Sequence, residues 1–482
     1  MIVSGLTRTI GLIGNPVEHT LSPVIHNGIS DAMGIASVYV PFKVDSDGIG
    51  EAVKGAYELN ILGLNVTVPH KNAVMASLVS IDEDALHIGA VNTLVREEDK
   101  HGYVGYNTDM PGLLRQIKED GISLKDRTVV VLGAGGASKA VVYMCLKEGA
   151  EKIYLLNRTI DKAKKIADDM NEIAALGVVK DLKDTDASAS KVEHVEKRDI
   201  VIPRSIKDYN KITENNLIVF QATSIGLSPN VDEVVIDDSE FYKKIDTGID
   251  LIYNPAETKF MKLVKANGGK AYNALKMLLY QGVIAYELWH NVKVPDDIIA
   301  DIYVELKRQV YPKDNIVLIG FMGSGKSTVG KALAKNLNMD FLDTDEYIEK
   351  KAGMTISDIF EKKGEEEFRR IETETLCELK ESMANTIIST GGGMPLRSEN
   401  ARLLKETGKV FYLSASAGII YDRVKDDTNR PLLMVDDPYG KICSMMKERK
   451  PLYEKACDHV IDTNSNDLDE IIEKIQIKVV EK

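Results

Sequence analysis

The sequence predicts an α/β protein made of three consecutive modules with mainly parallel sheets. Strand-like runs such as TIGLIG, ASVYVPF and GLNVTVP alternate with helix-like segments nearly throughout the chain, and this alternation is typical of parallel sheets. Two glycine-rich turns, at Gly133 and Gly320, each follow an apolar strand and precede a helix. The 482 residues accommodate about three domains of roughly 150 residues each.

The composition narrows the class of partner. A formal net charge of −13 argues against a nucleic acid or an acidic membrane as the main partner. The four cysteines form no C-x-x-C pair and the eight histidines show no metal-ligand spacing, so neither a disulfide framework nor a zinc site is expected. The N-terminus lacks the pattern of a signal peptide, and no apolar run reaches about 18 residues. We therefore expect a cytoplasmic protein without a membrane partner, either a monomer or a homodimer.

Four polar clusters lie at strand ends or turns in the first part of the chain. Taken singly, each is compatible with ordinary turn chemistry. The clusters are GNPVEHTLSP (14–23), NVTVPHK (65–71), GAVNT (89–93) and GYNTD (105–109).

The second module begins near residue 127 with a strand, a glycine turn, a helix and another strand. VVVL runs directly into GAGGAS. Glycines there let a pyrophosphate approach the backbone, and the next helix offers free N–H groups, although Ser138 stands where Gly or Ala is usual. The second strand ends in NRT, where an NAD site would carry an acid, so Arg158 favours the 2′-phosphate of NADP. The residues predicted to bind NADP are Gly133, Ala134, Gly135, Gly136, Ala137, Asn157, Arg158, Thr159 and Lys162.

The third module begins near Asn315. GFMGSGKS (320–327) satisfies G-x-x-x-x-G-K-[ST] in full, after the strand NIVLI and before the helix TVGKALAKNL. In such a loop the backbone N–H groups form an anion-binding nest, Lys326 reaches the β- and γ-phosphates and Ser327 ligates Mg²⁺. We therefore predict a nucleoside triphosphate site.

Two connecting segments are less regular. PDDIIADIYVELKRQVYPKD reads as a helix followed by a linker with a proline, which places the main domain boundary near 311–314. The region 171–211 is polar and charged, and it is either a surface elaboration or a strand–helix unit with weak periodicity.

Taken together, the four front clusters resemble the shikimate dehydrogenase family. ATSIG (222–226), DLIYNPAET (250–258) and LLYQG (278–282) extend the resemblance over about residues 9–290. The resemblance implies reduction of 3-dehydroshikimate to shikimate with NADPH, and it implies Lys71 and Asp109 as the catalytic pair. A lysine ammonium can polarise the ketone and relay a proton, and a carboxylate can orient that lysine. The residues implied for substrate binding are Thr20, Ser22, Asn65, Thr67, Asn92, Tyr253 and Gln281.

Two positions depart from the family pattern. Thr20 stands where Ser is more usual, which keeps the hydroxyl group. Gln221 stands where Asn is usual, before Ala-Thr-Ser, so the cofactor contacts at that strand end are less defined than the Lys71–Asp109 pair.

The third module resembles the shikimate kinase family from about Asn315 onward. FLDTDEYIE, IFEKKGEEEFRRIE, STGGGMP, NRPLL and ERKPLYEKAC carry the resemblance, which implies ATP-dependent phosphorylation of shikimate at its 3-hydroxyl. It implies Lys326 and Asp345 as catalytic residues and Ser327 with Asp343 at the Mg²⁺. The residues implied for ATP binding are Gly323, Ser324, Gly325, Lys326, Ser327, Thr328, Arg423 and Arg430. Those implied for shikimate binding are Asp345, Arg369, Gly391, Gly392, Gly393 and Arg449.

The expected architecture is an N-terminal substrate-binding α/β domain, a Rossmann-type NADP-binding domain and a P-loop nucleoside-monophosphate-kinase-like α/β domain. The expected ranges are 1–109 (completed by about 273–292), 110–272, a helical linker at 293–313, and 314–482. Such a chain would catalyse both reactions. One alternative is an inactive metabolite sensor or repressor, which would be expected to have lost Lys71, Asp109 or Lys326, yet all three are present. The other is a front part that acts on quinate as well as shikimate.

Overall fold

The computed structural model describes residues 3–176, 199–425, 433, 435–465 and 467–480. The chain divides into two compact units, Met1–Leu306 and Lys307–Lys482. The division falls inside the predicted helical segment 293–313, within a helix that spans Asp296–Val310. Most of the polar region that the sequence left unassigned, residues 177–198, lies outside the described residues. No helix in the described ranges is long and apolar enough to span a membrane.

The first unit begins with a six-stranded mixed sheet. Its strands are β1 (Arg8–Gly14), β2 (Ser37–Lys43), β3 (Gly63–Val66), β4 (Ser80–Ile81), β5 (Thr93–Glu97) and β6 (Gly102–Tyr106), in the spatial order β2-β1-β3-β5-β6-β4. The helices between them are α1 (Ser22–Met33), α2 (Ile49–Glu58) and α3 (Glu83–Ile88). Apolar side chains of β1 and β3, such as Ile10 and Leu64, are fully buried, as expected for central strands covered on both faces.

Strand direction decides where the polar clusters meet. β1 and β3 are parallel, whereas β5 runs antiparallel to both of its neighbours, β3 and β6. Asn65, near the end of β3, therefore lies opposite Thr93 at the start of β5, and Thr93 lies opposite Tyr106 at the end of β6. As a result, the clusters after β1, β3 and β6 share one sheet edge with the cluster before β5.

The second sheet of this unit is entirely parallel. Its strands are β7 (Thr128–Leu132), β8 (Lys152–Asn157), β9 (Val201–Ser205), β10 (Leu217–Gln221), β11 (Ile245–Asp250) and β12 (Lys270–Asn273). Its helices are α4 (Asp109–Glu119), α5 (Gly136–Lys147), α6 (Ile160–Ala175), α7 (Ser239–Tyr242) and α8 (Lys259–Ala266). The spatial order β12-β11-β10-β7-β8-β9 is the doubly wound order of dinucleotide-binding domains, with β7 at the switch point.

A long helix then returns to the first sheet. α9 (Leu275–His290) packs against α1 and α4. Near its end, Trp289 Nε1 donates to the Leu94 carbonyl at 2.8 Å. The first sheet and its covering helices are therefore completed by a distant stretch of chain. α10 (Asp296–Val310) follows.

The second unit has one parallel five-stranded sheet. Its strands are β13 (Ile316–Ile319), β14 (Asp340–Asp343), β15 (Thr386–Ser389), β16 (Lys409–Ser414) and β17 (His459–Asp462), in the order β14-β15-β13-β16-β17. The helices are α11 (Lys326–Leu337), α12 (Thr344–Ala352), α13 (Ile356–Lys363), α14 (Glu365–Ser382), α15 (Ser398–Thr407), α16 (Ala417–Val424), α17 (Pro438–Ala456) and α18 (Leu468–Val480). The predicted phosphate loop connects the central strand β13 to α11.

Candidate active sites

In the first unit, the predicted catalytic pair is in direct contact. Lys71 Nζ donates to Asp109 Oδ2 at 2.6 Å, and the two side chains are 31% and 20% exposed. The carbonyl of Lys71 accepts from the Val91 N–H at 2.9 Å, which ties its turn to the start of β5. Asp109 opens α4, where Asn107 Oδ1 accepts from the Asp109 N–H at 3.1 Å. The pair therefore joins two segments at the sheet edge and stays accessible to a ligand.

The two predicted carboxylate-binding hydroxyls lie together at the start of α1. Thr20 Oγ1 donates to Ser22 Oγ at 3.2 Å, and the Ser22 N–H donates to Thr20 Oγ1 at 3.2 Å. Ser22 is the first residue of α1, so the positive end of the helix dipole lies beside both hydroxyls. This arrangement suits an anionic oxygen.

Asn65 and Asn92 are both buried at the sheet edge, but only one has hydrogen-bonding capacity to spare. The Asn65 side chain accepts from Tyr39 and His26 and donates to Thr93 Oγ1 and the Asn92 carbonyl, so all four of its positions are used inside the protein. Asn92 Oδ1 accepts from the protein, whereas no described residue accepts from its Nδ2. The Asn65 amide is thus saturated within the protein, and its predicted contact with a ring hydroxyl stays a prediction.

The other predicted substrate contacts lie on three elements. The Thr67 N–H donates to the Ile13 carbonyl at 2.9 Å, which places Thr67 just beyond the ends of β1 and β3. Gln281 lies on α9 so close to α4 that a Cβ added at Gly112 would be 2.8 Å from its backbone nitrogen. Tyr253 follows β11, and burial raises the pKa of its hydroxyl.

The glycine turn between β7 and α5 has space for a ligand next to its backbone. Gly133 has φ +112°, and an added Cβ would lie 2.8 Å from the Ala222 carbonyl oxygen, so a side chain is excluded there. Nothing lies within 4 Å of a Cβ added at Gly135 or Gly136. Ser138 is buried, and its Oγ accepts from the Gly135 N–H at 3.2 Å. Ser138, which stands where Gly or Ala is usual, thus stabilises the turn through its hydroxyl group. Ala134 to Ala137 lie on the side of the turn that is open to a ligand.

Basic side chains follow the neighbouring strand end. Asn157 ends β8, and its Nδ2 donates to the Thr159 carbonyl at 2.8 Å, which shapes the turn into α6. Arg158, Thr159 and Lys162 are exposed there. Among the described residues, no acidic side chain forms an ion pair with Arg158 or Lys162. The turn between β8 and α6 therefore has positive charge available for the extra phosphate that distinguishes NADP from NAD.

Gln221 is engaged within the turn that faces the glycine turn. Its Oε1 accepts from the Thr223 N–H at 2.6 Å, and its Nε2 donates to the Ile225 carbonyl at 3.0 Å. Nearby, Thr258 Oγ1 donates to Asp250 Oδ2 at 2.6 Å, and burial raises the pKa of the Asp250 carboxyl to about 6. The longer side chain of Gln221 therefore shapes the turn at 222–226, which packs against Gly133.

In the second unit, a cavity of about 1460 Å³ runs along the phosphate loop. Gly323 and Gly325 have φ +74° and +94°, values that favour glycine. Lys326 Nζ donates to the carbonyls of Gly320 and Phe321 at 2.9 and 3.1 Å, so the ammonium is held over the loop. Ser324 is fully buried, and Ser327 and Thr328 line the cavity on the first turn of α11.

Three side-chain oxygens meet at the mouth of this loop. Ser327 Oγ and Ser389 Oγ both donate to Asp343 Oδ2, at 2.8 and 3.0 Å. Oxygen ligands of this kind, with few carboxylates, suit Mg²⁺, which keeps several waters and shares phosphate oxygens. No cluster of three or more His, Cys, Asp or Glu side chains that could hold a metal occurs in the described part of the chain.

A half-buried carboxyl group, that of Asp345, and the Arg369 guanidinium also line the cavity. Burial, with Asp343 nearby, raises the pKa of the Asp345 carboxyl to about 6. A Cβ added at Gly391 would lie 2.5 Å from Asp345 Oδ1. Arg369 Nη1 donates to Glu372 at 2.8 Å, which fixes the guanidinium plane. Glu372 is itself 1% exposed, so the Arg369 orientation is set from inside the protein.

The other predicted arginines lie around the same cavity. Arg423 donates to the carbonyls of Gly323 and Thr463 at 3.3 and 2.8 Å, which places it against the loop. The Arg449 guanidinium lies 5.7 Å from the centre of the Phe321 ring and lines the cavity. Arg430, predicted for the lid, lies outside the described residues.

Comparison with known proteins identifies the first unit. Residues 12–94 match the family model "Shikimate dehydrogenase substrate binding domain" and residues 113–219 match "Shikimate / quinate 5-dehydrogenase". The chain is 38% identical over 301 residues to the shikimate dehydrogenase (NADP(+)) of Desulforamulus reducens, which covers 62% of this chain and 96% of that protein.

The chain belongs to the shikimate dehydrogenase family.

Solved structures agree with this assignment. One is a chorismate mutase/shikimate 5-dehydrogenase fusion protein from Clostridium acetobutylicum, with 30% identity and a TM-score of 0.54 over 63% of this chain and 98% of that one. Another is the shikimate 5-dehydrogenase of Thermus thermophilus in complex with NADP(H) and shikimate. It has 26% identity and a TM-score of 0.51 over 62% of this chain and all of that one, 100%. The predicted fold of the dehydrogenase unit is confirmed.

A second family model matches most of the second unit. Residues 322–480 match the family model "Shikimate kinase". The dehydrogenase domains are therefore followed by a shikimate kinase domain, and the chain is a bifunctional enzyme of the shikimate pathway. This confirms the predicted fusion and the use of NADP and ATP.

Sequence reasoning missed several residues that shape these sites. In the dehydrogenase unit, His26 and Tyr39 both contact Asn65. His26 lies four residues after Ser22 on α1. Residues at this spacing share one face of a helix, so the sequence could have indicated that His26 lies near the predicted substrate-binding residues. In the kinase domain, Tyr453 donates to the Gly392 carbonyl at 2.6 Å, four residues after Arg449 on α17. Ser389 ends β15, and no local pattern indicated its contact with Asp343.

Replacing Gly393 with alanine is expected to weaken shikimate binding in the kinase domain. An added Cβ would overlap the Arg369 guanidinium, which would have to leave its position. Loss of one charge-assisted contact costs roughly 1.5–3 kcal/mol, so the KM for shikimate should rise about 10- to 100-fold. The measurement is kinase KM for shikimate and for ATP. Gly418→Ala, where nothing lies within 4 Å of the new Cβ, is the control; equal effects in both variants would contradict the argument.

Proposed function

We propose that the dehydrogenase unit reduces 3-dehydroshikimate to shikimate with NADPH, and that the kinase domain phosphorylates the 3-hydroxyl of shikimate with ATP and Mg²⁺. The proposal is supported by two groups of side chains that lie together and that suit the two reactions. One is the Lys71–Asp109 contact at 2.6 Å. The other is the half-buried Asp345 in the cavity of Lys326 and Arg369.

The dehydrogenase residues suit proton transfer to a ketone oxygen. The Lys71 ammonium can donate to that oxygen, and Asp109 keeps the lysine in place and can share its proton. Thr20 and Ser22 suit the substrate carboxylate, and the Asn92 amide suits a ring hydroxyl. NADPH, held by the glycine turn and by Arg158, would supply the hydride.

The kinase residues suit phosphoryl transfer, which needs positioning and charge neutralisation. Arg369 and Arg449 suit the shikimate carboxylate, because a guanidinium binds a carboxylate through two parallel hydrogen bonds. Asp345 can accept the proton of the attacking hydroxyl. Lys326 and Ser327 would hold the β- and γ-phosphates and, with Asp343, Mg²⁺. ATP would supply the phosphoryl group.

A coupled assay tests the proposal. The purified protein receives 3-dehydroshikimate, NADPH, ATP and Mg²⁺, while NADPH loss and ADP formation are followed together. We expect NADPH loss first and ADP only after shikimate accumulates. When shikimate is supplied with ATP and Mg²⁺ but without 3-dehydroshikimate or NADPH, ADP should still form. ADP formation should stop when EDTA removes Mg²⁺. If shikimate and ATP gave no ADP, the kinase assignment would be wrong. If 3-dehydroshikimate caused no loss of NADPH, the reductase assignment would be wrong.

The quinate and sensor alternatives have their own outcomes in the same assay. If quinate with NADP⁺ gave a kcat/KM within tenfold of shikimate, the front unit would be a quinate/shikimate dehydrogenase. If shikimate bound, as measured by calorimetry, without turnover at either site, the protein would be a sensor.

Replacing Arg158 with alanine is expected to weaken NADP⁺ binding selectively. Its guanidinium suits the 2′-phosphate, and a charge-assisted hydrogen bond contributes roughly 1.5–3 kcal/mol. The KM for NADP⁺ should therefore rise about 10- to 100-fold, with the KM for NAD⁺ unchanged. Arg127→Ala is the matched control, because Arg127 lies before β7, at the opposite edge of the sheet, and bonds to Asn216 and Asp246. An equal rise in the KM for NADP⁺ and for NAD⁺ would show that Arg158 does not recognise the 2′-phosphate.

A further inference from the structure

The three glycines after β15 form a tight turn whose central peptide bond has two possible orientations. The Met394 N–H donates to the Gly391 carbonyl at 3.2 Å, which closes a turn over Gly392 and Gly393. Gly393 has φ −91° and ψ −20°, the values of the third residue in a type I turn. A type II turn keeps the same closing hydrogen bond but has its central peptide turned over. The closing bond alone therefore does not decide which way the 392–393 peptide faces.

Glycine makes the type II form of this turn accessible. That form needs φ of about +80° at the third residue, and glycine adopts positive φ about as readily as negative φ. Two further hydrogen bonds hold the ends of the turn: Thr344 Oγ1 accepts from the Gly391 N–H at 3.0 Å, and the Leu396 N–H donates to the Gly393 carbonyl at 3.2 Å. Neither involves the 392–393 peptide, so another contact must select the type I form.

Tyr453 supplies that contact from the core of the domain. Its hydroxyl donates to the Gly392 carbonyl at 2.6 Å. Within the described ranges, no other group donates to this carbonyl and none accepts from the Gly393 N–H. Burial raises the pKa of Tyr453 to about 12, so the hydroxyl keeps its hydrogen at every working pH. The carbonyl and the N–H of a trans peptide point in opposite directions, so the Gly393 N–H points away from Tyr453.

The side of the turn opposite Tyr453 is the side of the cavity. Tyr453 is 1% exposed and belongs to the apolar core, whereas the three glycines line the cavity. A Cβ added at Gly393 would overlap the Arg369 guanidinium, which suits the shikimate carboxylate. In the type I form the peptide therefore presents an N–H beside this guanidinium. In the type II form it would present a carbonyl oxygen, which repels a carboxylate.

We propose that Tyr453 is a positioning residue of the kinase domain: its hydroxyl holds the 392–393 peptide in the type I form, so that the Gly393 N–H faces the bound shikimate. The inference rests on the proposed function of this domain. Without the hydroxyl, the Gly392 carbonyl has no donor in the core, and the two glycines allow either form. Shikimate would then bind only the fraction of molecules in the type I form, and its apparent affinity would fall in proportion.

The test removes the hydroxyl and keeps the ring. Tyr453→Phe preserves the packing against the Tyr412 ring, whose centroid lies 5.1 Å away. Tyr347→Phe is the matched control, because it removes another tyrosine hydroxyl of the same domain, which donates to Glu378 at 2.7 Å and not to the glycine turn. The measurements are kcat, the KM for shikimate and the KM for ATP of the kinase reaction in the full chain. The dehydrogenase activity of the same preparation checks the concentration of folded protein.

We expect Tyr453→Phe to raise the KM for shikimate about two- to tenfold, the range that one hydrogen bond contributes. The kcat should stay within about twofold of wild type, because saturating shikimate draws the molecules back to the type I form. The KM for ATP should also stay within about twofold. A twofold rise in the KM for shikimate already requires about half of the free molecules to be turned over. A crystal structure of Tyr453→Phe without shikimate should therefore show positive φ at Gly393.

The neighbouring Arg449 calls for one further comparison. Its guanidinium makes a side-chain hydrogen bond to the Tyr453 hydroxyl, so the loss of that hydroxyl could also act through Arg449. The contact with the Gly392 carbonyl does not involve the guanidinium. In an Arg449→Ala background, Tyr453→Phe should therefore lower kcat/KM for shikimate by the same factor as in the wild-type background.

Four outcomes would overturn the inference. These are an unchanged KM for shikimate in Tyr453→Phe, an equal rise in Tyr347→Phe, a negative φ at Gly393 in every copy of the variant structure, or an effect that disappears in the Arg449→Ala background. The last would assign the effect to Arg449. Failure of the proposed function itself is distinguishable, since the wild-type protein would then form no ADP from shikimate and ATP.

Discussion

Replacing Lys71 with alanine is expected to lower kcat for shikimate oxidation by about 10²- to 10⁴-fold, the usual contribution of a general acid or base. The ammonium is the group in contact with Asp109, at 2.6 Å. Under the proposed function, its loss would remove the group that exchanges a proton with the substrate oxygen, together with the positive charge beside that oxygen. The measurement is NADPH formation from shikimate and NADP⁺ at saturating concentrations.

Two controls belong with this variant. Lys54→Ala removes an exposed lysine of the same unit, which pairs with Glu51, and should leave the rate unchanged. The kinase activity of Lys71→Ala should also equal that of wild type. A loss of kinase activity would argue against independent reaction centres, and a dehydrogenase rate within tenfold of wild type would remove Lys71 from catalysis.

Replacing Asp345 with asparagine is expected to lower the kinase kcat by about 10²- to 10⁴-fold with little change in the KM for ATP. Asparagine preserves the shape of the side chain but cannot accept the hydroxyl proton as a base. Because burial raises the pKa of Asp345 to about 6, the base form is lost as the pH falls below that value. The wild-type kcat/KM for shikimate should therefore fall about tenfold per pH unit below 6, and Asp345→Asn should lack this dependence.

Glu346→Gln is the matched control for Asp345. Glu346 is the next acidic residue of α12 and is exposed, so its substitution should change neither kcat nor the pH profile. A pH profile of Asp345→Asn that still falls below pH 6 would assign the titration to another group. Glu372 is the first candidate, since burial raises its pKa to about 6 as well.

The locally encoded features could be predicted because each depends on neighbours in the chain. The turn at Gly133 and the loop at Gly320 each combine an apolar strand, glycines and a helix start within a few residues. Those patterns predicted two phosphate-binding turns, and the structure places each between a parallel strand and a helix. The basic residues after β8 could be predicted as NADP-binding for the same reason, because they directly follow a recognisable strand.

Features made by distant segments could not be derived in this way. The family resemblance implied Asn65 as a substrate-binding residue, and nothing in the sequence indicated the hydrogen bonds that its amide makes inside the protein. Its saturation by Tyr39, His26 and Thr93 depends on the order β2-β1-β3-β5 and on the packing of α1. Similarly, the contact of Ser389 with Asp343 exists only because β15 lies beside β14.

By itself, the sequence determined the module order, the two phosphate-binding turns and the residue types at both reaction centres, because these follow from short-range patterns and from family motifs. Only the tertiary structure decided which of those residues meet and which hydrogen bonds they have left. Lys71 and Asp109 meet because antiparallel β5 places its start, with Asn92 before it, at the same sheet edge as the ends of β3 and β6. Within the described part of the chain, the Asn92 amide still has an N–H that could donate to a ligand, whereas the Asn65 amide has none left. Buried polar groups form hydrogen bonds with one another, so which of them remains available depends on all of its neighbours in space.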